Sequence, residues 1–162
     1  MSKPAVRIYL LDKDAPPATT VTLVLDGPRG FLMQHRTEIN PETGKPPRYA
    51  GAWCFPGEEK LQGESDEAAV IRCAFEELGM RIPTTPAQVY DILTYEHDGD
   101  IDRVFVVKYD DQPIVVKEGK AMEWKTPAEI HKIEATGRLG FRQETILLPV
   151  FRFVGNKDVE TG

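Results

Sequence analysis

The sequence predicts an α/β domain in which helices flank a mixed β-sheet. Its 162 residues suit one domain with a single hydrophobic core. Apolar residues make up 41% of the chain and charged residues 28%, which is typical of a globular protein rather than a disordered one. Strand-like and helix-like patterns alternate along the chain, and this mixture favours helices packed on a mixed sheet. We therefore expect residues 1–162 to form one domain.

The N-terminal third of the chain carries strand patterns. The apolar run at 5–11 predicts a strand. Residues 20–25 are β-branched or apolar and predict a strand. The turn sequence D-G-P-R-G follows, and residues 31–36 are predicted to return as the second strand of a hairpin. The polar segment at 37–49 is long for a connection within a domain. It is either a surface insertion or a loop that contacts substrate.

A helix is predicted from Ser65 to Gly79. Ser65 suits the N-cap position, and Gly79 suits the residue that follows the last turn. We expect one side of this helix to pack on the sheet and the other to present functional groups. The apolar side is predicted to hold Val70, Ile71, Ala74, Phe75 and Leu78. The opposite side is predicted to hold Ala69, Arg72, Cys73 and Glu76, with Glu77 at its edge.

The C-terminal half adds a second hairpin and two helices. Residues 89–97 and 101–109 are strand-like and flank the turn sequence D-G-D. Thr126 is predicted to cap a helix that has proline at its first position. A longer helix pattern covers 141–154, and we expect Pro149 to kink it.

Charge and composition exclude several classes of function. The net charge of −6 argues against a nucleic-acid polymer as the main partner, because such proteins usually carry a basic face. No apolar run approaches the ~18 residues of a membrane span, and the N-terminus lacks the apolar core of a signal peptide. Two cysteines are too few for a disulfide framework. We therefore expect a cytoplasmic protein without a membrane span.

Carboxylates gather on and before the predicted helix. Glu76 and Glu77 are adjacent, Arg72 lies one turn before Glu76, and Glu64 lies in the loop that leads into the helix. Clustered carboxylates repel one another unless a cation or an arginine neutralises them. Mg²⁺ and Mn²⁺ prefer oxygen ligands, so a metal site is one interpretation. A solvated acidic face is the other.

The spacing of these residues resembles the Nudix box of Nudix hydrolases. In that pattern a glycine, five residues and a glutamate are followed by seven residues, Arg-Glu, two residues, Glu-Glu, one residue and a glycine. Here seven residues separate Glu64 from Arg72. The lead-in from Gly51 to Gly57 reads G-A-W-C-F-P-G, which is similar to the family's approach to the box. Further residues in register are Ala74, Glu76, Glu77, Gly79 and Met80.

Two positions depart from the box. Glu58 stands where the pattern opens with glycine, so the loop must adapt to a side chain there. Cys73 stands where the family has the glutamate after arginine, which is commonly a metal ligand or the catalytic base. A neutral thiol is a poor ligand for magnesium. Cys73 can equally be a small buried hydrophobic residue.

The resemblance implies a Nudix-type α/β/α sandwich, with a mixed β-sheet flanked by helices. It also implies a metal-dependent hydrolase that cleaves the diphosphate linkage of a nucleoside diphosphate joined to another moiety X. The cofactor would be Mg²⁺ or Mn²⁺. The metal ligands would be Glu76 and Glu77, with the carbonyl of Gly57. Glu64 and Arg72 would hold each other and orient the helix carboxylates, so Glu64, Arg72 and Glu77 count as catalytic candidates.

Further site residues are expected outside the box. Glu118 is the candidate for the general base or for an additional ligand in place of Cys73. Alternatively, Glu118 is an exposed loop residue without a catalytic role. Arg36, Tyr49 and Arg103 are candidates for substrate binding, although lone arginines usually lie at the surface and tyrosines in the core. His35, His97 and His131 show no metal-ligand spacing and receive no role.

Two classes of function stay open at this point. Besides the hydrolase, Cys73 supports a second hypothesis, in which the protein is a catalytically impaired Nudix-fold domain that acts as a nucleotide-binding or protein-interaction module. The identity of X is open as well, because specificity lies in loops outside the box. A homodimer is common in the family, and the sequence does not decide the oligomeric state.

Overall fold

Strand β2 (Thr20–Gly27) runs through the middle of the sheet. The computed structural model describes residues 6–10, 14–40, 42–82, 89–117 and 120–161, with 156–161 by their backbone alone. Within these ranges the remaining strands are β1 (Ile8–Tyr9), β3 (Gly30–His35), β4 (Trp53–Cys54), β5 (Gly57–Glu59), β6 (Val89–His97), β7 (Asp100–Lys108) and β8 (Ala121–Lys125). The helices are α1 (Asp66–Leu78), α2 (Pro127–Ala135) and α3 (Leu147–Thr161), and a short 3-10 helix covers Gln143–Thr145.

The sheet is mixed. Its main order is β1-β6-β7-β2-β3-β4, with β5 paired to β2 and β8 paired to β3. The pairing of β2 with β7 is parallel, and Thr20 lies opposite Asp102. The other strand pairs are antiparallel, which includes the two predicted hairpins. Both hairpin predictions are therefore confirmed.

Apolar side chains pack on both faces of the sheet. Alternation along β2 sends Val21, Leu23 and Leu25 into a cluster with α1, and Val24 into a second cluster with α2 and α3. One helix thus covers one face and two helices cover the other. This arrangement confirms the predicted α/β/α sandwich with a mixed sheet. No helix in the described ranges is long and apolar enough to cross a membrane.

Helix α1 begins and ends at the predicted caps. The Oγ of Ser65 accepts a hydrogen bond of 3.1 Å from the backbone N–H of Ala68. Gly79 adopts a left-handed conformation at φ 65°, and its N–H donates to Phe75. Thr126 caps α2 in the same way, within a reciprocal capping box with Glu129.

The C-terminal helix differs from the prediction. It does not start at residue 141, because Phe141 and Arg142 are left-handed at φ 56° and 55° and cannot continue a right-handed helix. Helix α3 starts instead at Leu147. Pro149 then lies in the first turn, where its missing N–H removes no intrahelical bond, so the expected kink has no cause.

Candidate functional site

Strand β5 delivers the start of the Nudix-like segment to the edge of β2. Gly57 pairs with Thr22, and Glu58 pairs with Val21. A Cβ atom on Gly57 would lie 2.8 Å from the carbonyl oxygen of Val21, closer than real side chains approach. Glycine at position 57 therefore permits the pairing that directs Glu58 toward α1.

Arg72 ties the loop after β5 to helix α1. Its Nε and Nη2 donate to the two carboxylate oxygens of Glu64 at 2.9 and 3.0 Å, a forked ion pair. Its Nη1 donates to Glu76 at 3.0 Å, and its Nη2 also donates to the carbonyl of Glu59 at 2.7 Å. The hydrogen bonds from Arg72, together with one from the backbone N–H of Leu61, lower the pKa of Glu64 to about 2. The predicted Glu64–Arg72 pair is thus present.

Glu77 and Glu58 bring two carboxyl groups into contact. Glu77 is buried on α1, and the Nζ of Lys120 donates to its Oε2 at 2.6 Å. Burial and then the neighbouring Glu77 raise the pKa of Glu58 to about 7. Burial alone would raise the pKa of Glu77, but the hydrogen bonds from Glu58 and Lys120 outweigh it and lower that pKa. Of the two carboxyl groups, Glu58 is therefore the one that binds a proton more readily.

Cys73 lies in the core, which agrees with the alternative of a small buried hydrophobic residue and not with the side of the helix predicted to present functional groups. Its side chain is 0% exposed and packs with Ala69 and Val70 in the cluster between α1 and the sheet. Phe75, predicted to be buried, is 55% exposed. The helix is therefore rotated relative to the predicted faces. Burial, and then the charge of Glu58, raise the pKa of the Cys73 thiol well above its usual range.

A cavity of about 370 Å³ opens beside these residues. Gly57, Glu58, Glu77 and Lys120 line one part of it. Arg36, Arg48 and Phe141 line another part. The guanidinium carbons of Arg36 and Arg48 lie 5.2 and 5.6 Å from the centroid of the Phe141 ring. Carboxylates thus border one part of the cavity, and cationic groups with an aromatic face border the other.

Polar side chains from β2, β6 and β7 line the cavity as well. Asp102 is buried and accepts hydrogen bonds from the hydroxyls of Thr20 at 2.8 Å and Thr22 at 2.7 Å. His97 is also buried, with Nε2 3.5 Å from Asp102 Oδ2 and no hydrogen bond to Nε2 from the described residues. Burial alone would lower the pKa of His97, but Asp102 and then Asp98 outweigh it and raise that pKa.

The structure brings together some of the sequence-predicted residues. Gly57, Glu77 and Arg36 line the cavity. Glu76 is absent from the cavity lining among the described residues, and its Oε2 accepts a hydrogen bond from Arg72. Tyr49 packs against Phe141 with ring centroids 4.6 Å apart, and its hydroxyl donates to Asp98.

Arg103, a predicted substrate-binding residue, is bound by two carboxylates instead. The guanidinium of Arg103 donates to Asp66 at 2.6 Å and to Asp91, and it is absent from the cavity lining among the described residues. Glu118 lies outside the described residues.

Several cavity residues were not selected from the sequence. Glu58 was noted only as an obstacle in the loop, although its position one residue after Gly57 was a usable signal. Lys120 and Gln143 carry no local signal, because distant segments bring them to the cavity. His97 and Asp102 lie in the predicted hairpin of β6 and β7, but the parallel pairing of β7 with β2, which places Asp102 opposite Thr20, was not predicted.

Oxygen atoms are the donors that could hold a divalent cation here. The Glu58–Glu77 contact suits a hard cation, because both carboxyl groups ionise only when positive charge is close. No group of three or more His, Cys, Asp or Glu side chains converges as a complete metal site in the described part of the chain. The donor set therefore fits a cation that is held by few carboxylates together with substrate oxygens, as is usual for Mg²⁺.

Comparisons with known proteins identify relatives with the same fold. A "Putative 8-oxo-dGTP diphosphatase 2" of Mycobacterium tuberculosis is 26% identical over 107 residues, which are 65% of this chain and 75% of that protein. A solved mutT/nudix family protein from Listeria innocua has a TM-score of 0.63 at 21% identity, over 90% of this chain and 98% of that one.

A further solved structure contains a metal ion. It is a bifunctional NMN adenylyltransferase/ADP ribose pyrophosphatase from Francisella tularensis, complexed with AMP and a Mn ion. Its TM-score is 0.57 at 18% identity, over 90% of this chain and 43% of that one. The model of the NUDIX domain matches residues 15–144, which is most of the sequence. The chain therefore belongs to the Nudix hydrolase family.

Proposed function

We propose that the protein is a metal-dependent hydrolase that cleaves the diphosphate linkage of a nucleoside diphosphate joined to another moiety X. One observation carries this proposal: the buried carboxylate of Glu77 reaches the cavity from the Nudix-box helix and lies beside Glu58 and Lys120. The name of the Mycobacterium tuberculosis relative, a diphosphatase of a nucleotide, supports the substrate class.

Glu76, Glu77 and the carbonyl of Gly57 would hold Mg²⁺ or Mn²⁺. The bound cation would neutralise the diphosphate and lower the pKa of the attacking water. Glu64 and Arg72 fix the loop against α1, so they orient the helix carboxylates. The complex of the Francisella tularensis protein with AMP and a Mn ion supports this cofactor.

Cationic groups across the cavity would position the substrate. Arg36 and Arg48 are suited to phosphate oxygens, because a guanidinium offers several N–H donors in one plane. Phe141, backed by Tyr49, offers an apolar ring face to the base or to X. Arg103 is left out of this role because, in the described part of the chain, it does not line the cavity, whereas Arg48 lines it while its guanidinium pairs with Asp100. Glu118 stays our candidate for the general base.

The test is a hydrolysis screen of nucleoside triphosphates, ADP-ribose, dinucleoside polyphosphates and nucleotide sugars with Mg²⁺ and Mn²⁺. We expect turnover of at least one substrate class, and a loss of about 100-fold or more in kcat for Glu77→Gln. Glu134→Gln, which alters a half-buried carboxylate on α2 that does not line the cavity, is the matched control and keeps native turnover. An unchanged rate in Glu77→Gln would refute the assignment of Glu77.

A second candidate is a Nudix-fold module that binds nucleotides without turnover. The burial of Cys73 favours it, because the helix presents no carboxylate at that position. Binding of a nucleotide by calorimetry, together with inertness toward every substrate and both metals, would establish this candidate instead. The predicted single domain, homodimer and cytoplasmic location stay predictions from the sequence.

A further inference from the structure

The two departures from the Nudix pattern meet in space. Glu58 replaces the opening glycine, and Cys73 replaces the glutamate after arginine. One lies on β5 and the other on α1, yet the Oε2 of Glu58 lies 3.8 Å from the Nη1 of Arg72, the residue directly before Cys73. A carboxylate is thus missing from the helix at the same place where an additional carboxylate arrives from the strand.

Helix geometry defines the place that a carboxylate at position 73 would serve. Cys73 and Glu77 are four residues apart, so their side chains lie one above the other on the same face of α1. A glutamate at position 73 would therefore project beside Glu77. The thiol that is present is fully buried and offers no oxygen to a hard cation.

Glu58 reaches that same surface from the side of the sheet. Its carboxyl group contacts Glu77, and its Oε2 lies 3.8 Å from the Nη1 of Arg72. It lines the cavity together with Glu77. The Nζ of Lys120 already binds Glu77 at 2.6 Å, so this carboxyl pair attracts a cation within the protein itself.

We propose that Glu58 supplies to the divalent cation the carboxylate that Cys73 cannot supply. The ligand has moved from the helix to the strand, and the two departures compensate each other. This inference rests on the proposed function, because it assigns a further ligand to the same site. It also predicts that position 73 does not tolerate glutamate while Glu58 is present, since three carboxylates would then crowd one buried spot.

The experiment measures Mn²⁺ binding to the full-length chain by electron paramagnetic resonance, without substrate. The variants are Glu58→Gln, Glu58→Gly, Cys73→Glu and the double variant Glu58→Gly with Cys73→Glu. We expect both substitutions of Glu58 to weaken Mn²⁺ binding by roughly 10- to 100-fold. The double variant, which restores the family pattern, should return to within a few-fold of native binding, so the two changes are strongly non-additive.

Glu67→Gln is the matched control, because Glu67 is an exposed carboxylate on the first turn of α1 and should keep native binding. Circular dichroism confirms that each variant is folded. If the single variant Cys73→Glu does not fold, the two single substitutions of Glu58 still test the inference, since each changes only one residue of a short strand. Native Mn²⁺ affinity in folded Glu58→Gln overturns the inference, as does a folded double variant that stays as weak as Glu58→Gly.

Failure of this inference is distinguishable from failure of the proposed function. If Glu77→Gln abolishes Mn²⁺ binding and Glu58→Gln does not, Glu58 is no ligand and the hydrolase proposal stands. If the native chain neither binds Mn²⁺ nor hydrolyses any substrate, both proposals fall.

Discussion

Arg72 holds three parts of the site with one planar group. Its guanidinium binds Glu64 in a fork, Glu76 on the next turn and the backbone carbonyl of Glu59. Lysine could not replace it, because a single ammonium cannot make a forked pair and reach a backbone carbonyl at once. The loop and the helix are therefore fixed to each other before any ligand binds.

The Glu64–Arg72 pair predicts a specific acid response. Hydrogen bonds from Arg72 and Leu61 lower the pKa of Glu64 to about 2, below the value of about 4.3 for a free glutamate. The pair therefore stabilises the fold fully above about pH 5, and this contribution disappears as the pH falls to about 2. In urea unfolding at a series of pH values, Glu64→Gln should be less stable than the native chain at pH 7 and equal to it near pH 2.

Salt and a control variant sharpen this measurement. High ionic strength should reduce the difference at pH 7, because both partners lie near the surface. Glu134→Gln should show no comparable dependence on pH. A stability difference between Glu64→Gln and the native chain that stays constant from pH 7 to pH 2 would contradict the prediction.

At the scale of single residues, spacing along the helix predicts pairs better than it predicts burial. The Glu64–Arg72 pair follows from the register of the box. The burial of Cys73 does not follow from spacing. Whether a residue at the edge of a helical face is buried depends on how the sheet packs against the helix, which periodicity alone does not determine. The contact of Glu58 with Glu77 was likewise hidden, since it depends on how β5 joins β2.

Strand β5 is the element on which the inferred ligand depends. It has only three residues, and it lies against β2 through the close approach at Gly57. A side chain at that position would meet a backbone carbonyl, which cannot rotate away as a flexible side chain can. Displacing β5 would move Glu58 away from Glu77.

Gly57→Ala is therefore expected to destabilise the fold by about 1–3 kcal/mol, on the scale of an overpacked site. It should also weaken Mn²⁺ binding, because Glu58 follows directly in the strand. Gly155→Ala is the matched control, since no described residue lies within 4 Å of a Cβ atom there and the site is in helix α3. Chemical denaturation should show the control as stable as the native chain or up to ~1 kcal/mol more stable. Equal denaturation midpoints for Gly57→Ala and the native chain would refute the steric argument.

The elements whose ends are set by residues close in sequence were predicted well. The elements whose ends depend on other features of the backbone were not. The hairpins and the caps of α1 and α2 depend on residues that are close in sequence. The start of α3 depends on the left-handed backbone of Phe141 and Arg142, which no apolar pattern reports. Neither residue is a glycine, so the usual signal for that conformation was missing.

At the scale of the whole molecule, metal binding should be visible as stability. A ligand that binds only the folded chain adds about 2.7 kcal/mol at 100 times its Kd. For a chain of this size, we expect Mn²⁺ at that excess to raise Tm by roughly 5–10 °C, and EDTA to reverse the change. Glu77→Gln should show no increase, and Glu134→Gln should show the native increase. A Tm that is independent of Mn²⁺ in the native chain would contradict the proposed cofactor.

The order of strands was the part of the fold that the sequence could not supply. The sandwich follows from the element pattern and the family resemblance, but the neighbours of β2 do not. Asp102 and His97 reach the cavity only because β7 lies parallel to β2 and antiparallel to β6. The pairing of β2 with β7 joins segments far apart in the chain, where local patterns carry no information.

The parallel pairing of β2 with β7 also bears on how the protein folds. The hydrogen bond from Thr20 to Asp102 spans 82 positions of the chain. Closing so long a loop costs conformational entropy before any contact compensates it, so this pairing belongs to the slow, late steps of folding. During synthesis, β2 cannot pair with β7 until β7 has emerged from the ribosome. Until then, the hydroxyls of Thr20 and Thr22 lack the Asp102 carboxylate that accepts their hydrogen bonds, and the cavity lacks the residues of β7 that line it.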